Sequence, residues 1–226
     1  MRRSLALCLV VFGLVALPCV ARAQVSIWLK RGVSGVGAAV SANGNSDSVA
    51  YTVSGGYSYE GYLDFDLGLS YLTFSDKNAI ASDLKGFGVT PGFQYHPLKQ
   101  GPDMPISLGL GVTFNWLSLQ SDQLKAVGVE AESLGVGLSV GAYRFFRLGE
   151  STGIIPAAGV LYTHTEAKFT GPRGQITNKD DTAAAALGVY FAFIDDGGRI
   201  YGIVPSVLIG SSVSFGLEFN LTWSLL

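Results

Sequence analysis

From Val213 to Leu225 the chain alternates without a break. Val213, Phe215, Leu217, Phe219, Leu221, Trp223 and Leu225 are apolar, while Ser214, Gly216, Glu218, Asn220, Thr222 and Ser224 are small or polar. Side chains at i and i+2 share a face only in an extended strand, so this segment is a strand with one greasy face. It runs well past the mode of about 5–6 residues for globular strands. It also satisfies the roughly 9–11 residues that a tilted strand needs to cross a bilayer.

The same pattern recurs upstream. Val49, Tyr51, Val53, Tyr57 and Tyr59 alternate with Ser48, Ala50, Thr52, Ser54 and Ser58. Leu63, Phe65, Leu67, Leu69 and Tyr71 alternate with Asp64, Asp66, Gly68 and Ser70. Phe87–Tyr95, Ile106–Trp116 and Leu134–Val140 repeat it. Ile154–Tyr162, Ala183–Phe193 and Tyr201–Ile209 are noisier, with both faces fairly apolar, and a first strand is expected near Val33–Ser41. Between the runs, Ser75–Asp83, Gln120–Ala131 and Gly171–Asp181 read as longer polar loops. Ser58–Gly61, Leu148–Thr152 and Asp195–Gly198 read as tight turns. The expected fold is all-β: a single antiparallel up-and-down transmembrane β-barrel of about ten strands, with eight as the alternative.

Composition narrows the choice. Of 226 residues 48% are hydrophobic and 14% charged, and 30 are glycine; ordinary soluble domains carry about 25% charged residues and about 7% glycine. No stretch after the amino-terminal segment has the 18 or more apolar residues of a membrane helix. That amino-terminal segment has its own logic. Arg2 and Arg3, an apolar run from Leu5 to Val20, and Ala21-Arg22-Ala23 read as a cleaved signal peptide over 1–23, leaving a barrel domain over 24–226. Cys19 raises a lipid-anchor alternative that Leu17 and Pro18 fit badly. Cys8 and Cys19 both fall in the removed segment, so no disulfide is expected. Removing Arg2, Arg3 and Arg22 leaves 12 basic against 17 acidic residues, which is no footprint for nucleic acid.

A soluble barrel alternates too, and the less apolar face separates the two. It carries Gly, Ser, Thr and Ala rather than the Lys and Glu of a water-facing surface, as suits a narrow lumen. Aromatic residues gather near strand ends, with Tyr57, Tyr59, Tyr71, Tyr95, Trp116 and Trp223 read as interfacial girdles.

With those strands and the strings Gly88-Val89-Thr90-Pro91, Gly153-Ile154-Ile155-Pro156 and Gly202-Ile203-Val204-Pro205, the chain resembles the small outer-membrane β-barrel families, the OmpA-transmembrane, OmpX and OmpW group. The resemblance implies the outer membrane of a Gram-negative bacterium and contact with its lipid and lipopolysaccharide. It also implies insertion by the barrel-assembly machinery, and a monomer. Leu226 falls out of register with Trp223 and Leu225, a departure from the usual aromatic terminus. Because proline removes a ladder donor, a bulge is expected at each Gly-x-x-Pro.

The search for chemistry returns little. His164, between Thr163 and Thr165 and followed by Glu166, stands where a base of a lipid A-modifying enzyme would stand, but no serine is two residues away on its face. His96, beside Pro97, reads as rim, and two distant histidines make no metal site. Gly135-x-Gly137 follows the strand period, so no phosphate or cofactor loop is implied. Asp64, Asp66 and Glu218 are expected to point into the lumen, either salt-bridged to a residue such as Lys30 or Arg31 or lining a cation-favouring channel. Arg144, in phase with lipid-facing residues, is expected to mark the periplasmic boundary. Ile155, Leu161, Tyr190, Ile194, Val204 and Leu208 make the later lumen face greasy. The expectation is a non-enzymatic barrel with a structural or surface-interaction role. A narrow pore for small solutes is the alternative, and an enzyme acting on lipid A a distant third.

Overall fold

The computed structural model describes residues 25–27, 29–74, 84–172 and 174–225. Segment 1–23, read from sequence as a signal peptide, the expected loop Ser75–Asp83 and the terminal Leu226 lie outside them. Ten long antiparallel strands form one closed barrel: β1 (Ser34–Gly44), β2 (Ser48–Tyr59), β3 (Leu63–Phe74), β4 (Lys85–Leu98), β5 (Ser107–Gln120), β6 (Glu130–Tyr143), β8 (Thr152–Gly171), β9 (Gly174–Ile194), β10 (Arg199–Ile209) and β11 (Val213–Leu225). A two-residue strand, β7 (Phe146–Arg147), rides on β8. The short helix α1 (Asp122–Ala126) is capped by Ser121, whose Oγ accepts from the Leu124 N–H at 3.0 Å.

Each long strand pairs with its neighbours in the chain, β6 joins β8, and β1 closes the ring on β11. The strands are tilted, and the register shows it. Partners followed from Val213 lead through Ile209, Ala185, Val160, Val140, Leu110, Tyr95 and Leu63 to Tyr59, whose neighbour Ser58 pairs with Gly35 and so with Ser224. The circuit thus leaves β11 at one end and returns at the other, the stagger that closes a tilted barrel. The end holding Ser34 and Leu225 is called the terminal end below.

Alternation in sequence becomes alternation across the wall. On β3, Phe65, Leu67, Leu69 and Tyr71 face outward and exposed, while Asp64, Asp66, Ser70 and Leu72 are buried inside. The outward set continues round the ring as an apolar band that water would not tolerate and lipid does.

Two expectations about the wall need correcting. No bulge occurs at any Gly-x-x-Pro. Pro156 pairs in register with Val189, and the registers on either side of Pro91 and Pro205 are continuous, with only the pairs at the proline and its preceding residue missing. A proline needs no bulge to avoid a ladder bond. It removes one donor on one side, and all three rings point outward, where nothing crowds them. The register shift lies instead between Tyr95 and Leu98, at Pro97. The second correction concerns Gly171–Asp181, which is strand rather than loop. β8 runs to Gly171, β9 starts at Gly174, and the two pair along their whole length. Above the membrane both faces of a ladder meet water, so its residues lose the apolar alternation that marks a strand in sequence. β9 pairs with β10 only from Ala185 onward, so Gly174–Ala184 extends with β8 as a hairpin beyond the rim.

Candidate functional site

The barrel interior is the candidate site, and it is filled at both ends. At the far end Ala50, Leu72, Leu84, Leu117, Leu119 and Ala131 pack together, with Phe74, Phe169 and Leu124 of α1 against them. At the terminal end Ile27, Tyr143, Ile155, Tyr190 and Val204 form a second apolar cluster. Between them lies a belt of small polar groups, among them Thr52 and Ser70, whose hydroxyls are 2.9 Å apart.

Ile27 belongs to a segment that sequence reasoning did not place. Val25–Ile27 forms a single 3-10 turn, and Val25, Ile27 and Leu29 are buried within the barrel. β1 makes room for it with Gly35 and Gly37: a Cβ at Gly35 would stand 2.7 Å from Leu29 Cδ1, and one at Gly37 2.9 Å from Val25 Cγ2. Gly61, at φ 67, passes under the same segment, where a Cβ would lie 2.6 Å from the Lys30 carbonyl. The signal was present in sequence as two glycines on the lumen face of a first strand, but lumen glycine is common here and does not announce what it accommodates.

A buried polar cluster fastens this segment. Asp64 and His96 are each 1% exposed. His96 Nε2 lies 3.6 Å from Asp64 Oδ2, and its Nδ1 lies 3.0 Å from the Tyr143 hydroxyl. His96 is therefore not a rim residue, as its neighbour Pro97 suggests. It continues the inward face of Gln94 because β4 runs on to Leu98. From the turn after β4, Lys99 reaches back into the barrel, donates to the Leu29 carbonyl at 3.3 Å and stands 5.8 Å above the Tyr143 ring. Burial pulls the Lys99 ammonium down to about 8, against the raising influence of Asp64.

The lumen carboxylates thus meet partners other than the two named from sequence. Asp64 faces His96 and Lys99. Lys30 is exposed, and Arg31 lies over the Tyr62 ring at 5.3 Å. Asp66 and Glu218 are also buried, and Glu218 accepts from Asn220 Nδ2 at 3.1 Å. Strand parity turns His96 toward this acid, whereas Lys99 reaches it from the turn beyond β4, and a buried charge requires such a partner. A cavity of about 140 Å³ remains between the clusters, touching Ile27, His96, Thr113, Leu161 and Tyr190. That is room for roughly one benzene-sized molecule.

Outside the barrel, His164 stands on the outward face of β8, its Nδ1 2.9 Å from Asp181 Oδ1 on β9, and the Tyr162 hydroxyl donates to the same oxygen at 2.6 Å. Glu166 does not orient it but pairs with Lys168 and Lys179, each at 3.3 Å. Thr163 and Thr165 are turned into the barrel. The site holds a His–Asp hydrogen bond, with neither flanking threonine hydroxyl on its face. Among the residues read as girdle, Tyr57, Tyr59, Tyr95 and Trp223 lie outward toward the terminal end, and Tyr71 and Trp116 lie outward toward the other. Among the described residues no group of His, Cys, Asp and Glu is arranged to hold a metal.

A closed, tilted antiparallel ring with an apolar outer band decides the fold. It is a β-barrel of the outer-membrane type. In shape the chain is similar to the beta domain of the Bordetella autotransporter BrkA, with a TM-score of 0.57 at 14% identity over 86% of this chain and 99% of that one. It is also similar to the translocator domain of the autotransporter NalP from Neisseria meningitidis, with a TM-score of 0.55 at 10% identity over 88% and 91%. At such identities the likeness is one of fold. No family model matches the sequence, and no curated protein matches it.

Proposed function

We propose that this barrel is a closed, non-conducting protein of the Gram-negative outer membrane whose working part is the β8–β9 hairpin, presented for surface interaction. The observation that carries the reading is the one-sided pairing of Gly174–Ala184, which holds the hairpin clear of β10. The hairpin is rigid rather than a loose loop, because β6 supports β8 as far as Thr170 and the His164–Asp181 and Glu166–Lys179 pairs tie β8 to β9. In the orientation usual for such barrels the chain termini and short turns are periplasmic, which sets the hairpin outside the cell.

The interior supports the same reading. Among the described residues, apolar clusters at both ends and the buried Val25, Ile27 and Leu29 occupy space that a pore would need to keep open to water. The test uses refolded protein in planar bilayers together with a Gln175→Cys variant on intact cells. Absence of conductance steps and labelling of the cysteine by a membrane-impermeant maleimide are the expected results. Stepwise ion conductance, or a cysteine reached only after lysis, would overturn it.

A further inference from the structure

Toward the terminal end, the outer wall carries large side chains such as Tyr57, Tyr95 and Trp223 over most of its circumference. On β9 and β10 that rim continues as Phe191, Phe193 and Tyr201, and only nearer mid-wall, across β6, β8, β9 and β10, do the side chains become small. There Ala142, Pro156, Ala158 and Gly188 leave a groove of about 630 Å³, flanked by Leu187 and Val207. Two prolines shape it: Pro156 and Pro205 stand on either side of Val189, so neither neighbouring strand sends a long side chain across it. Ala142, Pro156 and Ala158 line it from the outer face, while Tyr143 and Ala157, which also line it, turn into the barrel.

At the boundary end the groove is lined by Arg144, which follows the last residue of β6. Its guanidinium lies 4.9 Å over the Phe146 ring, and among the described residues no carboxylate pairs with it. A cation on the lipid face is tolerated only near an interface. It is favoured there by a phosphate, which a guanidinium grips with two hydrogen bonds. An apolar groove ending at a fixed cation has the form of a site for a molecule with an apolar chain and an anionic head.

We propose that this groove binds one glycerophospholipid, an acyl chain lying over Ala142, Ala158 and Gly188 and the phosphate resting on Arg144. The leaflet is the periplasmic one on the orientation given above; the site itself does not depend on that orientation or on the hairpin. The neighbouring charges leave Arg144 available: Arg147 is engaged with the Gly149 and Glu150 carbonyls.

Native mass spectrometry of the purified barrel in neutral detergent tests this, with titration of phosphatidylglycerol and of diacylglycerol bearing the same chains. One phosphatidylglycerol per chain is expected. Arg144→Ala should weaken it about tenfold, the size of one charge-assisted hydrogen bond, and leave diacylglycerol binding unchanged. Ala158→Phe, which fills the groove from the lipid side, should weaken both ligands. Ala142→Phe serves the same purpose if Ala158→Phe loses the heat-modifiable migration of a folded barrel. Equal phosphatidylglycerol binding by wild type and Arg144→Ala would overturn the proposal. So would equal binding after the groove is filled, or a lipid-free dimer joined through this face.

Discussion

The Lys99 ammonium, rising from a turn at the terminal end, donates to the Leu29 carbonyl at 3.3 Å. One side chain thereby ties the segment that fills the barrel to the wall that surrounds it. Because burial lowers this lysine from 10.5 to about 8, the unfolded chain binds a proton there that the folded barrel does not hold. Stability therefore rises with pH between about 8 and 10.5 and is indifferent to this group below and above that window. Urea unfolding from liposomes across that range should show the rise in wild type and a weaker one in Lys99→Met. Identical pH slopes would refute the assignment.

Gly37 faces Val25 across the lumen side of β1. Gly37→Leu should evict the inner segment, because the wall behind it is a hydrogen-bonded ladder with no slack. A cost of about 1–3 kcal/mol is expected for forcing a large side chain into a filled space. Trypsin added from the terminal end should then cut at Lys30 faster, with the barrel otherwise intact. An unchanged cleavage rate would mean that the segment is not held where Gly37 meets it.

Two adjacent residues of β11 should respond in opposite ways. A Cβ at Gly216 would lie against the Asn43 side chain and 2.7 Å from Ser206 Oγ, so Gly216→Leu is expected to destabilise the barrel by about 1–3 kcal/mol or to prevent insertion. Phe215, 68% exposed, faces lipid, and Phe215→Leu should stay within roughly 0.5 kcal/mol of wild type. Unfolding in urea compares them directly, and equal effects would refute the inward and outward assignment of β11.

Pro205 gives Val189 no amide hydrogen, and the β9–β10 ladder skips the position. Pro205→Ala should supply the donor without moving the strands, since the register is already continuous on both sides. Hydrogen exchange is the readout: the new amide at 205 should be protected to the same degree as Ile203. Rapid exchange there would show that the seam is open for a reason other than proline.

Much of this was readable from the chain alone, and the limits have physical causes. β11 and β3 alternate cleanly because one face meets lipid and the other a crowded lumen, so burial and sequence speak with one period. β9 was harder: Thr177-Asn178-Lys179-Asp180-Asp181 lies where both faces are wet, and nothing in its polarity separates a standing ladder from a loop. His96 was misjudged through its neighbour, although its even position beside Gln94 already placed it inside. The exposure of Arg144 was legible from phase. The groove that ends at Arg144 was not, because it is built from residues of four strands whose alignment only the register supplies. The Val25–Leu29 segment has no periodicity at all, being too short for one.

Ring closure between β1 and β11 has a consequence for how the molecule is made. The first strand must keep its outer row of peptide groups in reserve until the last thirteen-residue strand has been delivered. Until then the nascent sheet has two raw margins within an apolar medium that offers them no partner. Any truncation before Val213 leaves both margins open for good. The carboxyl-terminal strand is thus the clasp, and loss of it should send the chain to degradation rather than to a smaller barrel.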